Sequence, residues 1–339
     1  MKMLAAILVE QNKPLVVDDI SLQTRLDVGQ VLVKINYSGI CGSQIGEIQG
    51  IKGPDKYLPH LLGHEAFGSV LEIGPGVRSV SKDDKVVLHW RKGRGIDASP
   101  AVYEWNGRKV NSGQITTFSE MSVISENRLT KIHSSLDPRG LSLLGCAVTT
   151  GFGVICNNAK LKIGESLVVL GVGGVGLNIV EAGKLAGAHP IISIDINQER
   201  LNFSKRFGAD YTISSISKSW IDEVRGLLPK ADVVVDCTGI KEIIEAGYEL
   251  TNSRMILVGV PKENISINSL PLHLGKKLIG SHGGESDPTV DIPRLETLAT
   301  AGKINLEELV TEEVELKNIQ SAIDKMIAGK VVGRCVVRC

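Results

Sequence analysis

Ser166-Leu-Val-Val-Leu170-Gly171-Val-Gly173-Gly174-Val175-Gly176 is the stretch on which the fold turns. Ser166–Leu170 is a short apolar run rich in β-branched residues and reads as a buried strand. Gly176–Leu185 is longer and reads as a helix. Between them lies a G-x-G-x-x-G. In that setting the first glycine permits a tight turn and the second lets the backbone approach a pyrophosphate. The third lets the helix pack closely on the strand. The helix start then offers its partial positive charge to phosphate. Gly171, Gly173, Gly174, Val175 and Gly176 are therefore candidate dinucleotide contacts.

The next segments support this reading. Pro190–Asp195 reads as a strand, and Asp195 stands at its end. An acid about 20 residues beyond the glycines accepts hydrogen bonds from an adenosine ribose. It also repels a 2′-phosphate, which favours NAD over NADP. Arg200 either lines the adenosine pocket or lies on a solvated helix face. Strands then alternate with helices: Gln198–Phe207 (helix), Asp210–Ile213, Lys218–Leu228 (helix), Asp232–Asp236, Lys241–Leu250 (helix) and Met255–Val258. Leu278–Gly280 reads as a last strand. Such alternation predicts an α/β, doubly wound parallel sheet.

The first third reads differently. Ala5–Val9, Leu15–Val17, Val31–Tyr37, Phe67–Ile73, Lys85–Trp90 and Phe118–Ser125 are short strands, and Gly74-Pro75-Gly76 marks a turn. This spacing predicts a β-rich barrel or sandwich-like domain. Leu141–Ala159 reads as helical. Near the end Pro293–Ala301 and Ile319–Ala328 read as helices and Val331–Val337 as a strand.

Composition narrows the function classes. Among 339 residues, 38 Lys and Arg balance 38 Asp and Glu, so nothing in the net charge draws the chain to nucleic acid or an anionic membrane. Glycine, at 37 residues, is about 11% against the usual ~7%, which suits many tight turns. The uncharged run Ser166–Val180 is too short and glycine-broken to span a bilayer. The apolar start ends at Glu10 without a small-residue cleavage site, so the expected location is cytoplasmic. The six cysteines include no C-x-x-C pair, and in that compartment they read as buried thiols or ligands.

Cys41, His64 with Glu65, and Cys146 are zinc-type ligands in separate stretches, but spacing alone does not bring them together. The stretches do so as a set. Gly39-Ile-Cys41-Gly-Ser43, Leu62-Gly63-His64-Glu65-Ala-Phe-Gly68, Ile73-Gly-Pro-Gly-Val77, Leu144-Gly145-Cys146 and the Gly171 loop together resemble the zinc-dependent medium-chain alcohol dehydrogenases, end to end. The resemblance implies a GroES-like catalytic domain over 1–147, to which 283–339 returns. It implies a Rossmann dinucleotide-binding domain over 148–282.

Position by position, the resemblance makes Cys41, His64 and Cys146 ligands of one catalytic Zn2+. Glu65 is the adjacent acid that sits behind the metal or transiently ligates it. Ser43 is the hydroxyl that bonds the substrate alcohol. Thr150, Val175, Val258 and Val260 fall at cofactor-contact positions. Arg334 falls where an arginine supports the site and the pyrophosphate. Trp90 and Phe118 align with substrate-pocket positions. The implied activity is reversible hydride transfer from an alcohol to NAD, giving an aldehyde or ketone. The alternatives are a polyol or sugar-derivative dehydrogenase and a non-catalytic NAD-binding protein. The implied assembly is a homodimer or homotetramer.

Three departures stand out. No cysteine lies between Cys41 and Cys146, which removes the four-cysteine second zinc of many relatives. Gln44 stands where an acid usually supports the histidine ligand. Gly46 stands where some relatives have a proton-relay histidine. The loop 89–115, with Arg91, Lys92, Arg94, Arg108 and Lys109, reads either as a solvated surface or as a receiver of anionic or polyhydroxylated substrate.

Overall fold

The structure, a computed structural model, describes residues 1–22, 25–51, 53–261 and 263–339. The chain divides into two compact units, Met1–Cys146 with Asp287–Cys339, and Ala147–Ser286.

Ala147–Ser286 is built on a six-stranded parallel sheet. Its order is Tyr211–Ser214, Ile191–Asp195, Leu167–Leu170, Ala231–Asp236, Thr251–Leu257, Lys277–Gly280. This is the doubly wound order, with the sequence direction reversing beside Leu167–Leu170. All four residues of that strand are buried, as expected of a parallel strand covered on both faces. Val168, Leu170, Ile192, Ile194, Val234 and Met255 form one core face with Ile244 and Tyr248. The helix after the loop, Gly174–Leu185, starts two residues earlier than the apolar pattern predicts, because Gly173 is its N-cap.

Gly171 has φ +86°, a backbone state that L side chains rarely adopt. A Cβ on Gly176 would lie 2.1 Å from the Gly171 carbonyl oxygen. Helix and strand can therefore meet at this distance only through glycine.

The other unit carries two sheets. Among the described residues, Lys2–Leu8, Val16–Leu22, Val102–Trp105, Arg108–Asn111 and His60–Leu61 close a small barrel. Met3, Ile7, Ile20, Leu22, Tyr103 and Val110 pack in its core. The larger sheet is organised about Gln30–Gly39, which pairs antiparallel with Glu65–Ile73, Met121–Ser125 and Arg334–Arg338. Lys85–His89 pairs with Glu65–Ile73 on its other side. The registers Val336↔Gly39, Ser38↔Ala66 and Glu65↔His89 bring Cys41, His64, Trp90 and Arg334 to one end of this sheet.

Several expectations shift. The loop 89–115 contains the hairpin Val102–Trp105/Arg108–Asn111. Its turn residues Asn106 and Gly107 have φ 50° and 74°, the positive pair of a type I′ turn. The strand Val310–Glu315 has only two apolar residues, Val310 and Val314, and lies outside the expected strands. The helix expected over 293–301 begins at Pro288, because Asp287 caps it through the Thr289 N–H. The helical run expected over 141–159 is broken. Pro138–Ser142 gives way to a 3-10 turn, Leu143–Gly145, and Cys146 follows at φ −150°, ψ −67°.

The Gly171–Gly176 contact sets a test. Gly176→Ala should cost about 1–3 kcal/mol through overpacking and weaken NADH binding. Urea unfolding and NADH fluorescence titration measure the two effects. An alanine variant with wild-type stability and affinity would contradict the close approach.

Candidate metal centre and dinucleotide loop

Cys41 leaves the end of the Gln30–Gly39 strand in extended conformation (φ −110°, ψ 153°) and starts the helix Gly42–Ile48. The Ile40 N–H donates to the Cys335 carbonyl at 3.0 Å, which ties this end to the C-terminal strand. His64 precedes the first residue of the Glu65–Ile73 strand. Cys146 follows the 3-10 turn. Ligand atoms of Cys41, His64 and Cys146 all lie within 4.8 Å of one another. The structure thus brings together three residues that spacing alone leaves apart.

Their electrostatics suit a soft cation. A hydrogen bond from Cys146 holds the Cys41 thiol well below its ordinary pKa, against the opposing effect of burial. The same partnership, with burial, pushes the Cys146 thiol well up. Burial disfavours charge on His64, but the neighbouring Cys41 sulfur outweighs it and raises the imidazole pKa. His64 Nε2 is buried with no hydrogen-bond partner among the described residues. A buried nitrogen in this state costs free energy unless something fills the site. Two sulfurs and one imidazole nitrogen are the donors of an open zinc site, so the residues present fit Zn2+. A second cluster, Glu47, Asp55 and His60, has no sulfur, and its His60 Nε2 already meets Asp55 Oδ2 at 2.8 Å.

Glu65 and Arg334 sit behind the ligands as a buried ion pair, with side chains 0% and 4% exposed. Arg334, expected to support the site and the pyrophosphate, pairs with Glu65 at this point. Glu65 raises the guanidinium pKa against the effect of burial. Gly145 is required at this point. A Cβ there would lie 2.2 Å from the Leu88 carbonyl oxygen and 2.9 Å from Glu65 Cβ.

Ser43 is exposed in the first turn of the Cys41 helix. The Trp90 indole lies 6.5 Å from the His64 ring, tilted by 56°. The Arg91 guanidinium stands 5.7 Å over that indole. Phe118, expected to line the pocket, is 1% exposed and packs in the core with Leu62, Ile40 and Leu316. The basic segment does not act as one surface. Lys92 pairs with Asp97, and Arg108 and Lys109 lie on the barrel hairpin. Arg94 lines a separate cavity of about 350 Å³ with Arg78 and Lys131, which includes none of the three ligands.

His89 was not anticipated. It is 1% exposed, donates from Nδ1 to the Arg91 carbonyl at 2.8 Å, and accepts at Nε2 from the Thr130 hydroxyl at 3.0 Å. It thereby pins the backbone on both sides of Trp90. Burial pushes its pKa down to about 4, so it is neutral. The sequence neighbourhood does not mark this role, because the Thr130 hydroxyl comes from another strand.

In the other unit, the Asp195 carboxylate accepts the Val172 N–H at 2.9 Å through Oδ2 and the Asn197 N–H at 2.9 Å through Oδ1. The acid thus ties the glycine loop to the end of its own strand. A carboxylate accepts about four hydrogen bonds, which leaves capacity for a ribose. A Cβ on Gly173 would meet nothing within 4 Å, so the loop backbone is open to a ligand there. Val175 is half-buried and Val260 is exposed, whereas Thr150 is buried. Val258 donates its N–H to the Asp236 carbonyl at 2.8 Å. Arg200 lies in the first turn of Gln198–Phe207, with its N–H on the Asn197 cap.

Comparison with known proteins places both units. Residues 27–134 match the alcohol dehydrogenase GroES-like domain, and residues 174–299 match the zinc-binding dehydrogenase family. An S-(hydroxymethyl)glutathione dehydrogenase of Synechocystis is 30% identical, over 98% of each chain. An alcohol dehydrogenase class-3 of Cereibacter sphaeroides is 29% identical, over 99% of this chain and all of the relative. The crystal structure of benzyl alcohol dehydrogenase from Acinetobacter calcoaceticus superposes with TM-score 0.89 at 25% identity, over 100% of this chain and 99% of the other. Among the described residues no single helix is long and apolar enough to cross a membrane.

The neutral His89 sets a stability window. Its folded pKa lies below the ordinary 6.5, so the unfolded chain binds the extra proton between about pH 6.5 and 4. This contribution is complete above pH 6.5 and is lost as pH falls toward 4. Between pH 7 and 5 the wild type should lose about 2 kcal/mol more stability than His89→Gln, measured by urea unfolding. Identical pH dependence in the two proteins would contradict a neutral buried imidazole.

Proposed function

The chain belongs to the zinc-type medium-chain dehydrogenase/reductase family, as an NAD-dependent zinc alcohol dehydrogenase, and from that premise we propose how its own residues divide the work. The carrying observation is the buried Cys41–His64–Cys146 cluster with its unpartnered His64 Nε2.

Cys41, His64 and Cys146 hold one Zn2+, and Asp195 with the Gly171–Gly176 loop holds NAD. When bound, zinc polarises the substrate oxygen and NAD takes the hydride, so the protein supplies position and electrostatics. Ser43 Oγ takes the proton of the substrate hydroxyl while its own hydroxyl hydrogen leaves. Its exposure supports that release straight to water, since Gly46 offers no relay group. Glu65 is neutralised by Arg334 and keeps a fixed charge pair behind the sulfurs. Trp90, held by His89, forms a wall beside His64. Thr150, Val175, Val258 and Val260 contact the nicotinamide half of the cofactor, and Arg200 contacts the adenosine half. Residues 1–147 with 283–339 form the catalytic domain, and 148–282 form the dinucleotide domain. The assembly is a homodimer or homotetramer in the cytoplasm. Family likeness supports these last assignments.

The substrate is a small-molecule alcohol, oxidised to an aldehyde or ketone. Wild-type enzyme should reduce NAD+ with an alcohol, followed by NADH absorbance. Asp195→Ala should raise the KM for NAD+ by about tenfold or more, because a charge-assisted ribose bond worth about 1.5–3 kcal/mol is lost. The KM for NADP+ should stay level or fall. An equal rise for both cofactors would contradict the role of Asp195. No reduction with any alcohol would contradict the function.

A further inference from the structure

Glu126 is 3% exposed, and its carboxylate is committed to backbone. Oε1 accepts the N–H groups of Arg78 at 2.7 Å and Ser79 at 2.9 Å, and Oε2 accepts the Ile96 N–H at 2.8 Å. Burial opposes its ionisation, but these bonds outweigh it and hold its pKa below the ordinary value. One buried acid thus clamps two loops that are distant in sequence. Gly95 makes the clamp possible. It has φ +113°, and a Cβ there would lie 2.8 Å from Glu126 Cγ.

Each clamped loop carries an arginine whose side chain takes no part in the clamp. Arg78 and Arg94 are exposed. Among the described residues neither guanidinium has a hydrogen bond or an acid at ion-pair distance. Both line the cavity of about 350 Å³, together with Glu126, Lys131 and Thr289. Lys131 Nζ meets Asp84 Oδ1 at 2.6 Å and has further hydrogens to donate. The Thr289 oxygen accepts the Arg94 N–H at 2.8 Å, which leaves its hydroxyl as a donor. The turn that holds Glu126 adds buried positive charge. Its Arg128 is 6% exposed, and Nε has no hydrogen-bond partner. Burial disfavours that charge and Asp97 favours it, but Asp97 also pairs with Lys92.

Among the described residues the cavity therefore has donors from four segments, and the one acid that lines it is already occupied by backbone. A carboxylate takes donors close to one plane, whereas a phosphate presents three strong acceptor oxygens in different directions. Guanidinium groups pair with phosphate through parallel N–H bonds. We propose that this cavity binds a small phosphate-bearing molecule, with Arg78 and Arg94 on its phosphate. Its volume suits a compact phosphate ester. None of the three metal ligands lines it, so the proposal stands independently of the zinc reading.

Titration calorimetry with inorganic phosphate tests this on the full-length, zinc-loaded enzyme. Low ionic strength limits screening, and saturating NADH keeps phosphate off the Gly171–Gly176 loop. Phosphate should bind the wild type, and Arg78→Gln/Arg94→Gln should weaken it about tenfold or more. Arg108→Gln/Lys109→Gln removes the same charge from the barrel hairpin and should leave the affinity unchanged. A wild type that binds no phosphate overturns the proposal. So does equal affinity in the Arg78→Gln/Arg94→Gln variant, or an equal loss in the Arg108→Gln/Lys109→Gln variant. Should the first double variant not fold, Arg78→Gln alone carries the same test, because the Arg78 guanidinium has no hydrogen bond to lose.

Discussion

The buried Arg334–Glu65 ion pair is the contact on which the unit Met1–Cys146 with Asp287–Cys339 depends. It joins side chains 269 positions apart, both sealed from solvent. A buried charge without its partner destabilises a protein by about 3–5 kcal/mol, so neither residue can be moved alone. The pair holds the C-terminal strand against the segment that begins at His64. The register Val336↔Gly39 then fixes where the chain turns toward Cys41. Three segments with no local relationship are thereby brought to one point. Cys41 and His64 stand at that point because the sheet ends there, and Gly145 lets Cys146 approach from the remaining side.

The same pair shapes the field at the ligands. Arg334 adds to the interactions that favour the Cys41 thiolate, after the larger contribution of Cys146. Glu65 favours a charged His64, after the larger contribution of Cys41. Because the two charges balance, the ligands can bring negative charge to a divalent cation without a second excess behind them. Positioning follows the same logic around Trp90. His89 stays neutral, so it offers one donor and one acceptor, and the backbone of Arg91 and the hydroxyl of Thr130 take one each.

Some of this was legible in the sequence. The Gly171–Gly176 loop, the strand before it and Asp195 depend on local geometry, and local geometry is written in adjacent residues. Cys41, His64 and Cys146 were legible as ligand types, and as a set only through family resemblance. The Asn106-Gly107 hairpin carried its turn signal in plain view. It was missed because the charges around it read as solvated loop. Other features had no local signal. Val310–Glu315 is a strand because Arg334–Arg338 pairs with it, not because of its own pattern. Phe118 is buried by neighbours distant in sequence, and an aligned position does not reveal that. His89 acts in part through a hydrogen bond to Thr130, which lies on another strand.

By this reading the register of one sheet assembles a single zinc site from Cys41, His64 and Cys146. Zinc stoichiometry of purified wild type and Cys146→Ser, measured by atomic absorption beside NADH binding, tests it most directly. The account requires one zinc per chain in the wild type, loss of that zinc in the variant, and unchanged NADH affinity. A variant that keeps its full zinc, or a wild type that purifies without zinc and takes none up, would contradict it.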